Sequence, residues 1–404
     1  MVSPIECSPS GKTRSGTRKA NDWLLAVMLF LIVSPGFSLV RFVTGEFFPN
    51  EKLAGLLALV LVTTGGYWKK LPRAATVCWS AFCALTSVML MKVLGFHVPV
   101  SIADINLLYW LLIIPFYLSV FRHNAKVYFR FIEVYFWLNV CVAALQWLAV
   151  AAGYPDVAMA LNNYPPQDGY TYPVLGPIVR VAGTFNESSQ LALFSLLVFT
   201  VSNSNSVRYK FSRATAWMSL LITMSTTSAT AIVGIIVVVL LGAVTKDFER
   251  KNLNRVALAI VVLVALFPGQ AALAMTRLVR MTLEVDPNQL ESERMVSMLS
   301  KLSDLATSER VLLGFQQTWS RSSFDFLSIY LYGYGLIGFL AVASALVSLL
   351  RSAPKVLLGV VFVALLGNGN LLVSIHLIIL GAIHSARQLS FSERLASFST
   401  EEAK

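Results

Sequence analysis

Long apolar segments recur along almost the whole chain, and this feature limits the folds it can adopt more than any other. A helix that crosses a bilayer needs about 20 mostly apolar residues. The sequence contains twelve candidate spans: Trp23–Val43, Leu53–Trp68, Ala75–Phe96, Ile102–Phe121, Val127–Ala152, Ser188–Val201, Ala214–Thr227, Ala229–Val244, Val256–Met275, Phe324–Leu350, Val356–Leu366 and Leu371–His384. Because backbone groups in lipid must be paired internally, we predict an all-α, polytopic transmembrane bundle of about twelve spans.

The composition agrees with a membrane environment. Of the 404 residues, 56% are hydrophobic and 13% are charged, with a mean hydropathy of +0.69, whereas charged residues make up about a quarter of a soluble domain. The net charge of +11 would suit nucleic-acid binding in a soluble protein. Most of these cations lie in short connections, however, where membrane orientation accounts for them. We therefore expect contact with membrane lipids and not with nucleic acid.

Lysine and arginine concentrate in alternate connections between the spans. They precede the first span, follow the second, fourth, sixth, eighth and tenth spans, and recur in the C-terminal tail. Because positively charged loops stay in the cytoplasm, both termini are predicted to be cytoplasmic. The chain then divides into a cytoplasmic basic tail over residues 1–21, one transmembrane domain over 22–386 and a cytoplasmic tail over 387–404.

Two long polar loops lie on the opposite, outer side, at about 153–186 and 276–323. Loops of this length usually carry function or are disordered. The first contains YPPQDGYTYP, a composition typical of a rigid, irregular loop, whose Tyr170 and Tyr172 could stack on sugars or form an ordinary interfacial belt. In the second loop, apolar residues at helical spacing over 288–308 predict an amphipathic helix near the membrane surface.

The end of the first loop leads directly into the sixth span through Arg180-Val-Ala-Gly-Thr-Phe-Asn-Glu-Ser-Ser. A helix N-terminus with Arg180 beside it is a ready anion site. Gly183, Thr184 and Asn186 are candidate substrate contacts, and Glu187 could act as a base or hold a sugar hydroxyl. Alternatively, the segment is an ordinary helix cap, and the Glu187 carboxylate interacts favourably with the positive end of the helix dipole. Such a cap does not need the arginine.

The second loop supplies further guanidinium groups at Arg294, Arg310 and Arg321. The planar arginine fork suits bidentate phosphate contacts better than the point charge of lysine, so a diphosphate is the expected ligand. In the alternative interpretation these arginines pair with neighbouring acids on a solvated face, as Arg310 would with Glu309 or Asp304.

Asp325 lies at the outer end of the tenth span. Ionisable residues at membrane depth are costly and therefore usually functional, although a residue this near the interface can also reach water. The four histidines show no metal-ligand spacing, and no paired-carboxylate motif of the D-x-D type occurs. We therefore predict a site without a metal or a cofactor.

Together these residues resemble the O-antigen ligase and polysaccharide polymerase (Wzy-like) superfamily of bacterial inner-membrane proteins. The resemblance runs from Arg180 to about Ala345. Three pieces carry it in order: the Arg180–Ala192 stretch, the Ser-Thr-Thr-Ser turn at 225–228, and the late segment from Leu-Leu-Gly-Phe at 312–315 to Gly-Leu-Ile-Gly at 335–338.

The resemblance implies a metal-independent glycosyltransferase that acts on a glycan carried by undecaprenyl diphosphate, on the periplasmic side. Arg180 and Arg294 would hold the diphosphate, and Asp325 or Glu187 would accept the acceptor hydroxyl proton. These four residues form the predicted catalytic set. The predicted substrate-binding set is Gly183, Thr184, Asn186, Arg310, Arg321, Tyr170 and Tyr172. The resemblance also allows for a chain-length regulator and other polysaccharide-export proteins as partners.

Two departures from the ligase pattern favour a repeat-unit polymerase. Ser-Phe-Asp325 stands where ligases typically show a histidine, and Ala229 follows the mid-chain serines where an arginine is often found. Transfer to another acceptor by an O-antigen ligase-type reaction is the first alternative. The second is a twelve-span transporter or lipid-linked glycan flippase, since both termini inside suits such folds and their sites form at broken helices.

Overall fold

The structure of the chain is a computed structural model whose helices follow the apolar segments. It describes residues 13–33, 50–154, 157–158, 174–175, 178–179, 181–185, 188–226, 228–266, 268–269, 272, 303–308, 310–315, 328–351, 353–367 and 374–401. The long helices in these ranges are α1 (Thr13–Val33), α2 (Asn50–Thr64), α3 (Ala74–Phe96), α4 (Ile102–His123), α5 (Ala125–Ala151), α6 (Ser188–Asn203), α7 (Arg213–Ser225), α8 (Ala229–Val244), α9 (Arg250–Leu266), α10 (Gly333–Leu350), α11 (Lys355–Gly367) and α12 (Ser374–Glu401). Each of the twelve predicted spans overlaps one of them.

The prediction of a helical membrane fold is confirmed at this coarse level. Within the described part of the chain, four helices are long and apolar enough to cross a membrane: Ala74–Phe96, Asp104–His123, Ala125–Ala151 and Tyr330–Leu350. Other apolar helices have 10–17 residues, fewer than the roughly 20 that a perpendicular span requires. Twelve crossings, the cytoplasmic termini and the three-part division of the chain stay predictions. Helix α1 already begins at Thr13 and α12 continues to Glu401, inside the two predicted tails.

The helices expose apolar side chains on their outer faces as well as burying them. Large hydrophobic residues are exposed on α3, α5, α8 and α10, namely Leu90, Leu94, Val134, Leu138, Leu148, Ile236, Leu240, Leu340 and Val347. Contiguous apolar surface on a soluble protein marks an interaction site. On several helices of one bundle, it fits contact with lipid tails.

Helix α6 lies at the centre of the bundle. Every residue from Gln190 to Val201 is buried, and the helix packs against α5, α7, α8, α11 and α12. Around it, α10 packs on α3, α12 on α4, α1 on α2, and α8 on α11. A helix buried on all sides belongs to the core, so the chain segment that enters α6 must also pass into the interior.

Local sequence signals set several helix ends. The Ser101 hydroxyl accepts the Asp104 N–H at 3.2 Å while the Asp104 carboxylate accepts the Ser101 N–H at 2.8 Å, which is a capping box at the start of α4. Helix α7 ends at Ser225 and α8 begins at Ala229. These ends agree with a predicted break between two helices at 225–228, of which Thr227 lies outside the described residues.

The described residues of the first long loop, at about 153–186, include a short antiparallel strand pair. Strand β1 (Val174–Leu175) pairs with β2 (Ile178–Val179), with Val174 opposite Val179. The composition of this loop predicted only irregular structure, because two-residue strands leave no alternating pattern that could be detected. In the second outer loop, most of the predicted amphipathic helix at 288–308 lies outside the described residues. Residues 303–306 are helical, and Leu305 there is buried.

Candidate functional site

The C-terminal end of α3 and the N-terminal ends of α4 and α10 lie close together. The opposite ends of these helices adjoin the basic connections. Arg73 precedes α3, Arg122 lies in the last turn of α4, and Arg351 follows α10. At the other ends, α3 and α10 contact the turn of residues 310–315, and α4 joins them through the bond between Asp104 and Tyr334. The polar and aromatic group formed there is called the Lys92 cluster and consists of Lys92, Asp104, Arg310, Phe315 and Tyr334.

Lys92 is a buried cation one turn before the end of α3, with 5% of its surface exposed. Its ammonium group donates to the carbonyl oxygen of Phe315 at 2.7 Å and to that of Gly333. The same nitrogen lies 5.2 Å from the centre of the Tyr334 ring. Burying a charge is costly unless it is hydrogen-bonded, and the two carbonyls and the ring meet that need.

Asp104 is the buried carboxylate of the cluster. It accepts hydrogen bonds from the Ser101 N–H at 2.8 Å, the Ser101 hydroxyl at 2.9 Å and the Tyr334 hydroxyl at 2.8 Å. Asp104 attracts the Lys92 ammonium, while the Arg310 guanidinium repels it. The three helix ends are therefore joined by a network that contains both signs of charge.

The backbone of α10 is broken at Gly335, which has φ 67° and ψ −172°. This conformation is essentially limited to glycine. The 310–315 turn packs against the break. The Leu336 N–H donates to the Val311 carbonyl at 2.9 Å, and the Ile337 N–H donates to the Leu312 carbonyl at 3.2 Å. The turn thereby supplies acceptors for amide groups that the break leaves without helical partners.

Two glycines permit this close approach. A Cβ on Gly335 would lie 2.4 Å from the carbonyl carbon and oxygen of Leu312, and a Cβ on Gly314 would lie 2.3 Å from the Gly335 nitrogen. Backbone atoms cannot rotate away as a side chain can. The segments 312–315 and 335–338, which carried the last part of the family resemblance, are thus in direct backbone contact.

Arg310 lies across two aromatic rings of this cluster. Its guanidinium carbon is 4.8 Å from the centre of the Phe96 ring and 5.6 Å from that of Phe315, within the range of cation–π attraction. Within the described part of the chain it forms no ion pair with Asp304; Glu309, the other predicted partner, lies outside that part. Stacking uses the flat face of the guanidinium, whose donors lie in its plane.

Residues 181–185 enter the bundle immediately before α6. Val181, Ala182, Gly183 and Phe185 are buried. The side chain of Gln146, itself fully buried, accepts the Ala182 N–H at 3.2 Å and the Gly183 N–H at 3.0 Å and donates to the Gly183 carbonyl at 2.8 Å. One amide side chain of α5 thus pairs three backbone groups of this segment.

A second buried amide of α5 holds the same segment more deeply. The side-chain oxygen of Asn139 accepts hydrogen bonds from the Thr184 N–H at 2.9 Å and from the Thr184 hydroxyl at 3.1 Å. The Tyr135 hydroxyl is also hydrogen-bonded to the Thr184 hydroxyl. Asn139 precedes Ala151, the end of α5, by twelve residues, or about 18 Å of helix. Non-helical backbone persists at membrane depth only where protein surrounds it and pairs its polar groups. Residues 181–185 meet both conditions and are called the re-entrant segment.

The described residues include three of the predicted site residues. Gly183 and Thr184 belong to the re-entrant segment, and Arg310 belongs to the Lys92 cluster. The other predicted residues lie outside the described part of the chain: Arg180, Glu187, Arg294 and Asp325 of the catalytic set, and Asn186, Arg321, Tyr170 and Tyr172 of the substrate-binding set. Their roles stay predictions. In sequence, Arg180 and Asn186 directly flank the re-entrant segment.

Four residues that organise these regions were missed in the sequence: Lys92, Asp104, Asn139 and Gln146. Each lies within a predicted apolar span. That position was the available signal, because polar groups at membrane depth are costly and therefore usually have a specific role. What the sequence could not supply was their distant partners, which are backbone groups for Lys92 and Gln146, the Tyr334 hydroxyl for Asp104, and the N–H and hydroxyl of Thr184 for Asn139.

A further polar cluster lies between the α6–α7 and α8–α9 connections. Asp247 is buried and accepts hydrogen bonds from the Ser204 hydroxyl at 2.5 Å and from the Ser206 N–H at 2.7 Å and hydroxyl at 2.5 Å. These connections belong to the basic side of the bundle. These hydrogen bonds join the α8–α9 connection to the α6–α7 connection, so the role of Asp247 is structural.

Among the described residues, no group of three or more His, Cys, Asp and Glu side chains is arranged to hold a metal ion. No protein-family model matches the chain, and neither does any curated protein. The function is therefore inferred from the residues and contacts of the chain itself.

Proposed function

We propose that the protein is a glycan polymerase of the bacterial inner membrane. It joins undecaprenyl-diphosphate-linked repeat units on the periplasmic face during surface or exopolysaccharide synthesis, as a Wzy-like, metal-independent glycosyltransferase. Both termini lie in the cytoplasm, and the loops at 153–186 and 276–323 lie in the periplasm. Its partners are the lipid-linked oligosaccharide, membrane lipids, a chain-length regulator and other polysaccharide-export proteins.

The observation that carries this proposal is the buried course of residues 181–185. Gln146 and Asn139 hold this segment inside the bundle, and the chain on either side of it carries Arg180 and the Asn186-Glu187 pair. A helix cap alone would not require two buried amides to fix the chain before it. A catalyst does require its charged groups to be mounted on a fixed support.

In the proposed reaction, an acceptor sugar hydroxyl attacks the anomeric carbon of the donor glycan. The new glycosidic carbon–oxygen bond forms as the bond from that carbon to the diphosphate oxygen breaks, and undecaprenyl diphosphate leaves with the electron pair. Arg180 and Arg294 stabilise the negative charge that grows on the leaving group, and Arg310 adds a third cation. Glu187 or Asp325 accepts the hydroxyl proton as general base.

A transporter or flippase is the second candidate, and one observation favours it. Helix α10 is broken at Gly335 beside the buried charges Lys92 and Asp104, and transporter sites form at broken helices. Against it, the break is filled by the 310–315 turn, whose carbonyls accept the freed N–H groups. A ligase-type transfer is the third candidate, and the Asp325 sequence context makes it the weaker of the two transferase assignments.

Reconstitution tests these assignments directly. Purified protein in lipid vesicles is given a labelled undecaprenyl-diphosphate-linked repeat unit, and the products are separated by size. We expect a ladder of polymers from the wild type, and a rate lower by about 10²–10³-fold in Arg180→Ala and in Arg294→Ala, which is typical of losing one charge-stabilising donor. Arg73→Ala and Arg351→Ala, at the basic side, serve as matched controls and should retain the ladder.

The alternatives predict other products from the same vesicles. Movement of the labelled lipid between the two leaflets without any polymer would identify a flippase and contradict the proposal. Transfer of one unit to an added acceptor, without a ladder, would identify a ligase. Normal ladders from both arginine variants would show that the proposed site is wrong even if the protein is a polymerase.

A further inference from the structure

Lys92 connects two parts of the chain that are distant from it in sequence. Its partners Phe315 and Gly333 are 223 and 241 residues away. Phe315 ends the turn that begins with Arg310, and Gly333 is the first residue of α10. A single ammonium group therefore fixes the end of the turn against both α3 and α10.

The beginning of the same turn is held by a neighbour of Lys92 on α3. Phe96 follows Lys92 by four residues, so the two side chains lie on the same face of the helix. The Phe96 ring contacts the Arg310 guanidinium at 4.8 Å, while Lys92 binds the Phe315 carbonyl at 2.7 Å. One face of α3 thus holds both ends of the turn.

Asp104 and Tyr334 support this arrangement from α4 and α10. The carboxylate is oriented by its two bonds from Ser101 and accepts the Tyr334 hydroxyl at 2.8 Å. The Tyr334 ring in turn faces the Lys92 ammonium. Loss of Lys92 would therefore remove one anchor of the turn, while the Phe315 N–H bond to the Tyr332 carbonyl at 2.8 Å and the link between α4 and α10 remain.

Lys92 is poorly placed to bind substrate itself. Its side chain is 5% exposed, and two of the three donors of an ammonium group are used by backbone carbonyls. Arg310 is half-buried and stacked through its flat face. Of the two cations, Arg310 is the one available to an anionic ligand.

We infer that Lys92 is a positioning residue that sets the guanidinium of Arg310 for the diphosphate of the lipid-linked donor. The inference rests on the proposed function, in which Arg310 is one of the diphosphate ligands. A misplacement of about 1 Å at a reacting centre can cost about 100-fold in rate. Lys92→Met, which keeps the length of the side chain and removes its donors, should lower kcat/KM by about that factor.

A double-mutant cycle separates positioning from simple stabilisation. Lys92→Met, Arg310→Gln and the double variant are reconstituted with the labelled lipid-linked repeat unit, with Lys126→Met as a control at an exposed lysine of α5. If Lys92 acts through Arg310, the double variant is no slower than Arg310→Gln, because the effects of residues coupled through one network are not additive. Lys92→Arg, which retains a cation and donors, should recover most of the rate.

Hydrogen–deuterium exchange provides a readout that does not depend on activity. In Lys92→Met, amides of residues 310–315 should exchange at least about 10-fold faster, since the turn loses an anchor, while those of α6 and of the Lys126→Met control stay as in the wild type. Unchanged exchange, or rate losses that multiply in the double variant, would overturn the inference. Should Lys92→Met fail to fold, Lys92→Leu, which also removes the ammonium donors, takes its place in the same cycle.

The outcomes also distinguish the two levels of the proposal. A wild type that forms no polymer, with faster exchange in Lys92→Met, would remove the proposed function and the diphosphate ligand while leaving the anchoring of the turn in place. A wild type that forms polymer, with Lys92→Met equally active, would remove the inference alone.

Discussion

Replacing Gly335 by alanine tests how tightly the 310–315 turn and the broken start of α10 fit together. Gly335 has a positive φ and an extended ψ, a combination that costs a residue with a side chain about 1–3 kcal/mol. The added Cβ would also lie 2.4 Å from the carbonyl carbon and oxygen of Leu312. These are backbone atoms, so the turn as a whole has to move.

The expected loss of stability follows from these two effects. Movement of the turn breaks the two hydrogen bonds that the amides after Gly335 donate to it, each worth about 0.5–1.5 kcal/mol. With the backbone strain, the total is about 2–6 kcal/mol. The Lys92 bond to Phe315 belongs to the same turn and would weaken at the same time. Its loss is not included in this range.

Two other glycines supply matched controls. Gly66 also has a positive φ, at 66° with ψ 22°, but a Cβ there would have no neighbour within 4 Å. Gly66→Ala therefore carries only left-handed strain, about 1–2 kcal/mol. Gly95 lies inside α3 with an ordinary φ and open space around it, so Gly95→Ala should be neutral or stabilise the helix by up to about 1 kcal/mol.

The assay is equilibrium unfolding of the purified variants in detergent, followed by far-ultraviolet circular dichroism. We expect the order of stability to be Gly95→Ala, then Gly66→Ala, then Gly335→Ala, with the last clearly separated from the second. A Gly335→Ala variant that is no less stable than Gly66→Ala would refute the interlocked contact between the turn and α10.

Two further predictions concern the other polar clusters. Gln146→Leu leaves buried backbone groups of the re-entrant segment, including those of Gly183, without partners. It should lower the free energy of unfolding by about 1–3 kcal/mol for each unsatisfied group. It should also abolish polymer formation, even in the folded fraction. Asp247→Ala removes the bonds to Ser204 and Ser206 and should cost a similar amount of stability, but polymer formed per amount of folded protein should be unchanged because this cluster lies at the basic side. Unfolding curves and product ladders from the same preparations check both, and a Gln146→Leu variant with wild-type stability would contradict the buried course of residues 181–185.

The sequence predicted where helices occur but not how they associate. Apolar runs identify helices because any segment in lipid must pair its own backbone groups, and each predicted span overlaps a helix. The break between two helices at 225–228 was expected from the family resemblance, of which the Ser-Thr-Thr-Ser turn is one piece. The contact of segments 312–315 and 335–338 was not predicted, since nothing in either segment specifies the other as a partner.

The re-entrant segment and the Lys92 cluster depend on contacts that periodicity does not encode. Residues 181–185 have the composition of an ordinary loop, and their burial follows from Asn139 and Gln146, which appear in the sequence as isolated amides within an apolar span. Lys92 is likewise a single cation in such a span. Its partners are main-chain carbonyls, which every residue possesses and which therefore leave no signal in the sequence.

The central claim, that lipid-linked repeat units are polymerised at the periplasmic side, is tested most directly by mass spectrometry of undecaprenyl-diphosphate-linked glycans from cells with and without the protein. A glycosidase added to the periplasm reports which face of the membrane these glycans occupy. We predict that cells without the protein accumulate single repeat units that the glycosidase digests. Single units that accumulate on the cytoplasmic face, protected from the glycosidase, or an unchanged distribution of chain lengths, would contradict the claim.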